Sequence, residues 1–152
     1  MNRNQLMNLV ARPLYEKMHN GITGLEAFMM CVAHESTRGE HIHQVQGPAL
    51  GIIQMEPLTH DDTWKEGDSI WDNALKVGII TAEEYVKAQH PPAERLIYDL
   101  QYNAFMFRQR LFMKPGKLPQ DLKELSRYLK THWNSALGKA DDLSYYRDYL
   151  EW

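Results

Sequence analysis

The sequence has one cysteine, Cys31, no run of roughly 20 apolar residues and no excess of basic charge. Each shortage excludes something. A lone thiol cannot close an internal disulfide, so the fold does not depend on an oxidising compartment. No segment reads as a membrane span, and no membrane insertion is expected. Lys and Arg number 17 against 20 Asp and Glu, a formal charge of -3. Such a chain has no cationic surplus to displace counterions from phosphates, so no nucleic-acid partner is expected. The first twenty residues are amphipathic and broken by polar side chains, without the apolar centre of a signal peptide. Internal repeats and low-complexity tracts are also lacking. What remains is an ordinary globular balance, 43% hydrophobic and 24% charged over 152 residues. That suits a single domain over residues 1–152, burying roughly 70% of its unfolded surface.

Helical periodicity dominates. Leu6, Leu9, Val10, Leu14 and Met18 follow helix spacing, with Pro13 expected to kink or split the segment. Thr23 and Glu26 read as a capping box opening a helix with Leu25, Phe28, Met29 and Val32 on one stripe. That helix should end near His34–Arg38. Residues 39–56 look irregular, with turn residues Gly47, Pro48 and Gly51, and suit a small hairpin or extended loop. Pro57 should open another helix and Gly67 end it. Thr81 and Glu84 form a second capping box. Leu96, Leu100, Ala104, Phe107 and Leu111 predict a long helix ending at Pro115-Gly116. Pro119 should start the next, and a tyrosine-rich helix closes the chain. The fold class is therefore mainly α, with one short loop or hairpin segment.

Glu35 is the ionisable group that stands out. It lies seven residues after Phe28, on nearly the same stripe as Phe28 and Val32. A carboxylate at the end of a buried stripe loses water, and desolvation favours the protonated form that a general acid needs. The same spacing also suits a helix-terminal Glu turned to solvent. Asp61 and Asp62 follow Gln54 closely enough to position a water, and Glu56 is nearer still, yet as residues of the helix opened by Pro57 the two aspartates equally suit its acidic first turn. His34, His41, His43 and His60 are dense around Glu35, and His41-x-His43 offers two zinc-type ligands. No His-Glu-x-x-His and no cysteine pair accompanies them, so no metal and no other cofactor is expected. Cys31 reads as core. Tyr145, Tyr146, Tyr149 and Trp152 read either as core or as a partner-facing patch.

The segment Ala33-His34-Glu35-Ser36, followed by Gly47-Pro48-Ala49-Leu50-Gly51-Ile52-Ile53-Gln54-Met55-Glu56-Pro57, resembles the soluble lytic transglycosylase and goose-type lysozyme group. That group pairs a helix-ending Glu-Ser with a Gly-Leu-Met-Gln-like turn and a following Pro. The 19 residues from Glu35 to Gln54 suit it. His132-Trp133-Asn134-Ser135-Ala136 looks like its Ala-Tyr-Asn-Ala-Gly element, with Trp133 in place of the tyrosine. The resemblance runs over roughly residues 25–140.

What it implies is a lysozyme-like fold that cleaves the β-1,4 bond between N-acetylmuramic acid and N-acetylglucosamine in peptidoglycan. Glu35 matches the acid/base. Ser36, Gly51 and Gln54 match positions that shape the turn or orient the acid or sugar. Trp133 and Asn134 match the sugar-binding pair. The substrate's acetamido group replaces the second carboxylate that standard glycosidases use. The implied setting is a bacteriophage protein, in the virion or the host cytoplasm, acting on the cell wall. An alternative is a virion structural or assembly part on the same fold, touching other virion proteins through the aromatic C-terminal helix.

Overall fold

The computed structural model describes residues 1–67, 69–114, 116–134 and 138–152. Among them the chain is mainly helical and forms no strand. Its helices are α1 (Arg3–Gln5), α2 (Arg12–Glu16), α3 (Leu25–Glu35), α4 (Pro57–Glu66), α5 (Ile70–Lys76), α6 (Ala82–Val86), α7 (Arg95–Tyr98), α8 (Leu100–Leu111), α9 (Leu122–Leu129) and α10 (Ser144–Leu150). Wider π-helical turns cover Leu6–Ala11 and Lys130–Asn134. Pro115 of the expected break, and Ser135 and Ala136 of the expected His132–Ala136 element, lie outside the described residues.

The centre is α3. Ala27, Phe28, Met29, Met30, Cys31, Val32 and Ala33 are all buried. A helix apolar on every side has to be enclosed, and α8, α9 and α10 pack around it. Each large side chain buried there contributes about 1.5–3 kcal/mol. The polar residues that follow this apolar run, His34 and Glu35, therefore emerge half-buried at the edge of the core.

Local signals succeed where nothing distant competes. Thr81 and Glu84 close their capping box on α6, which has no buried residue. Pro57 opens α4 and Gly67 caps it. Pro13 falls in the first turn of α2, straight after the Leu6–Ala11 π turn. The wider turn accommodates a ring that clashes with a regular helix.

Three expectations need correction. Thr23 and Glu26 do not form a capping box, because the chain enters α3 through Gly24 at φ 93. The Glu26 carboxylate instead accepts a hydrogen bond from the Tyr149 hydroxyl of α10. The long Leu96–Leu111 helix is split at Asp99, which is extended and caps α8 by accepting from the Tyr102 N–H at 3.0 Å. The helix expected from Pro119 begins only at Leu122, where the Asp121 carboxylate accepts from the Glu124 N–H. In the last two cases an Asp side chain outcompetes a periodic or proline signal by satisfying an orphan backbone donor.

Residues 39–56 fold back on themselves through two isolated bridges, His43 with Leu50 and Leu50 with Met55. Gly51 sits at the hinge with φ 77. Its α-carbon faces α8 so closely that a Cβ would fall 2.2 Å from the Asn103 Oδ1 and 2.6 Å from the Leu96 carbonyl. Asn103 is buried and donates through Nδ2 to the carbonyls of Leu96 and Asp99, both at 2.8 Å. It leaves no room to yield. Gly51→Ala combines a strained φ with overpacking, so it should cost about 3 kcal/mol. Thermal unfolding followed by circular dichroism should show Tm lower by roughly 10 °C.

A buried polar chain ties α4 to α8. The Trp64 indole donates to the Tyr102 hydroxyl at 2.8 Å, and that hydroxyl lies 2.6 Å from His60 Nε2. Tyr102 has already accepted one hydrogen bond, so its own proton goes to His60. The His60 Nδ1–H then donates to Asp61 at 2.8 Å. Burial lowers the pKa of His60, which suits this neutral form, although Asp61 acts in the opposite direction. No helix among the described residues is long and apolar enough to cross a membrane.

Candidate functional site

Glu35 opens onto a cleft of about 510 Å³, bounded by the 39–56 segment on one side and by Trp133 and Asn134 on the other. Gln54, Glu56, Gln44 and His41 complete its rim. Four elements thus meet around one carboxylate: the end of α3, the doubled loop, the π turn after α9, and α10 behind.

The carboxylate is held by one oxygen. Its Oε1 accepts from the Asn134 Nδ2 at 3.2 Å and from the Tyr145 hydroxyl of α10. Tyr145 is fully buried. Burial, and then the Glu35 charge, push its pKa far above the ordinary tyrosine range, so it stays a donor. Its ring lies 4.5 Å from the His34 ring, and His34 pairs with Asp148 at 2.7 Å. With Oε1 engaged twice, a proton on this carboxyl group belongs on Oε2. That leaves Oε2 without a partner among the described residues, on a side chain that lines an open, polar cleft, which is the arrangement acid/base chemistry needs.

Asn134 is itself positioned. Its Oδ1 accepts from the Lys130 Nζ at 3.1 Å, which turns the amide so that Nδ2 faces Glu35. Lys130 also donates to the Gly138 carbonyl at 2.9 Å. Gly138 approaches so closely that a Cβ would lie 1.7 Å from the Asn134 Oδ1. Trp133 packs on Phe107, with 4.7 Å between ring centres, and presents its remaining surface to the cleft.

The other residues singled out from sequence divide. Gln54 lines the cleft in a left-handed conformation, φ 51, and its Nε2 donates back to the Gly51 carbonyl at 2.9 Å. Among the described residues its Oε1 has no partner, so it is available to a ligand. Gly51 supports this turn from behind. Ser36 is buried; its hydroxyl donates to the Val32 carbonyl and accepts from the Gly39 N–H. It caps α3 and does not line the cleft. Asp61 and Asp62 are exposed on α4 and do not line it either. The carboxylate that does so, besides Glu35, is Glu56.

Two residues of the site were missed in the sequence. Lys130 had a signal, four residues before Asn134 on one helix face. Tyr145 had none, since an aromatic at helical spacing reads as packing. Tyr145 and Tyr149 are in fact buried, and the Trp152 indole donates to the Met1 carbonyl at 2.8 Å. Cys31 is buried, with its pKa raised well above normal by burial and then by Glu35, and is an inert core thiol.

Of the histidines near Glu35 in sequence, His41 lines the cleft, His43 lies 3.0 Å from the Gln44 carbonyl, and His34 is paired with Asp148. The metal-capable set that converges among the described residues is His60, Asp61 and His90, with ligand atoms within 4.8 Å of one another. Both His60 nitrogens are engaged, with Tyr102 and Asp61. A larger cavity, about 670 Å³, lies beside His19, Asp72 and Arg108. There Arg108 is committed to the carbonyls of His19 and Gly21, and Asp72 accepts from Tyr85. It offers no comparable convergence of free groups.

Comparison with protein-family models, curated proteins and solved structures gives no match.

Proposed function

We propose that this protein is a peptidoglycan-cleaving glycosidase of the lysozyme-like type, a lytic transglycosylase with Glu35 as its acid/base. The observation that carries the reading is the Glu35 carboxyl group, held through Oε1 by Tyr145 and Asn134 at the edge of an open cleft. The ordered resemblance over residues 25–140 supplies the substrate class, and the bacteriophage setting belongs to the same proposal.

In this mechanism Oε2 of Glu35 gives its proton to the glycosidic oxygen as the bond to the muramic acid C1 breaks. The 4-hydroxyl of N-acetylglucosamine departs, and the neighbouring acetamido oxygen stabilises the positive charge at C1. The Glu35 carboxylate then takes the proton of the muramic acid 6-hydroxyl as that oxygen closes on C1. The product is a 1,6-anhydro end, Glu35 is protonated again, and no water is consumed. Trp133 offers an apolar face to a sugar ring, and the Gln54 amide oxygen offers an acceptor to its hydroxyl or amide groups.

A virion structural or assembly part on the same fold is the alternative; Tyr145 and Tyr149 lie in the core with Tyr146 and Trp152 packed against it, which favours the glycosidase reading over a role for these aromatics as a partner-facing patch. Digestion of purified peptidoglycan, with products read by mass spectrometry, tests the choice. Products ending in 1,6-anhydromuramic acid are expected. Reducing ends would make the enzyme a hydrolase and assign Glu56 to the water. Well-folded protein that releases nothing from several peptidoglycan types would overturn the glycosidase reading.

A further inference from the structure

The cleft does not stop at Trp133. Beyond it lies a second cavity of about 310 Å³ that shares Gln54, Glu56, Trp133 and Asn134 with the first. Its own lining adds Arg110, Lys114 and His132. A chain with a formal charge of -3 thus gathers three cation-capable side chains at one end of its cleft. Among the described lining residues Glu56 is the opposing carboxylate, and it pairs with neither Arg110 nor Lys114.

Arg110 lies in the last turn of α8, and Lys114 follows four residues on, in the turn just past the helix end. Both are partly buried. Among the described residues neither forms an ion pair or a side-chain hydrogen bond. Cations at a helix C-terminus complement its dipole, but Arg108 of the same turn already serves the fold, bound to the carbonyls of His19 and Gly21. A partly desolvated guanidinium and ammonium that face one cavity without a partner are prepared for an anion.

We propose that this arm is a carboxylate-binding subsite, in which Arg110 and Lys114 take the acid group carried by muramic acid. The inference rests on the glycosidase reading for its substrate. N-acetylglucosamine is neutral, so an all-glucosamine strand has nothing to offer these cations. Muramic acid offers a carboxylate in either of two forms. In a peptide-free strand it is the lactyl group itself. In a peptide-bearing strand it belongs to the stem peptide. The subsite distinguishes a muramyl strand from a chitin-like one and sets which way the strand lies across Glu35.

The test is binding to the Glu35→Gln protein, which removes turnover. Three soluble tetrasaccharides are titrated calorimetrically: peptide-bearing muramyl, peptide-free muramyl, and chitotetraose. The muramyl ligands should bind about tenfold to a hundredfold more tightly than chitotetraose, and more weakly as salt is raised. Adding Arg110→Gln and Lys114→Gln should erase that advantage while chitotetraose affinity, which reports an intact cleft, stays the same. An advantage confined to the peptide-free ligand assigns the lactyl carboxylate, one confined to the peptide-bearing ligand assigns a stem-peptide carboxylate, and one shared by both means that the pair takes whichever carboxylate the strand carries. Muramyl affinity unchanged by the two substitutions would overturn the subsite and leave the glycosidase reading standing. Binding that depends on Arg110, in a protein that cleaves no peptidoglycan, would keep the subsite and remove the cleavage reading. Failure to bind any of the three would remove both.

Discussion

Glu35→Gln should lower peptidoglycan cleavage by about a thousandfold or more while leaving the fold intact. The substitution keeps the side chain's length and shape. The Asn134 Nδ2 and the Tyr145 hydroxyl, which both donate to Oε1, can donate to the glutamine carbonyl instead. What disappears is the proton on Oε2. General acid catalysis typically contributes about 10²–10⁴ in rate. In the proposed mechanism one carboxyl group serves both halves of the reaction, so the loss belongs at the upper end. Release of muropeptides over time gives the rate, and thermal unfolding gives the control. A rate within tenfold of wild type would remove Glu35 from the chemistry. A rate loss matched by a collapse in Tm would assign it to folding.

Tyr145→Phe should lower kcat by about tenfold to a hundredfold with little change in KM. The benzene ring keeps its place in the core beside His34, with only the hydroxyl removed. A hydrogen bond to a charged acceptor contributes about 1.5–3 kcal/mol, which corresponds to that range in rate. Without it Oε1 keeps only Asn134. The carboxyl group can then rotate, and its proton is no longer confined to Oε2. Because burial and the Glu35 charge keep the Tyr145 hydroxyl protonated, the tyrosine adds no titration step of its own to the wild-type pH profile. A merely structural tyrosine would lower Tm by about 1 kcal/mol worth of stability and leave kcat where it was.

Much of the architecture is legible in short-range pattern. The apolar stripe of Leu25, Phe28, Met29 and Val32 predicts α3. Pro57, Gly67 and the Thr81–Glu84 box mark helix ends that form where they are expected. The failures share a cause. Glu26 left its cap for Tyr149, a partner 123 residues away. Asp99 and Asp121 set helix starts that apolar periodicity and proline do not register. In the site, Glu35, Gln54, Trp133 and Asn134 stand out as residues. Ser36 also stands out, and is then used as a buried cap.

The sequence by itself determined that the protein is mainly helical, that one stripe of α3 is apolar, and that Glu35 comes near the end of that stripe. These follow from periodicity and hydrophobicity, which act over a few residues and survive without knowledge of the partners. Only the tertiary structure decided that the Tyr145 hydroxyl, 110 residues from Glu35, would grip its Oε1. It also decided that Lys130 would turn Asn134 toward the same carboxylate, that Asp61 and Asp62 would stay outside the cleft, and that Arg110 and Lys114 would line its far arm. A side chain's chemistry is written in the chain, but the direction it faces is set by how α10, α8 and the π turn pack against α3, and no local spacing carries that information.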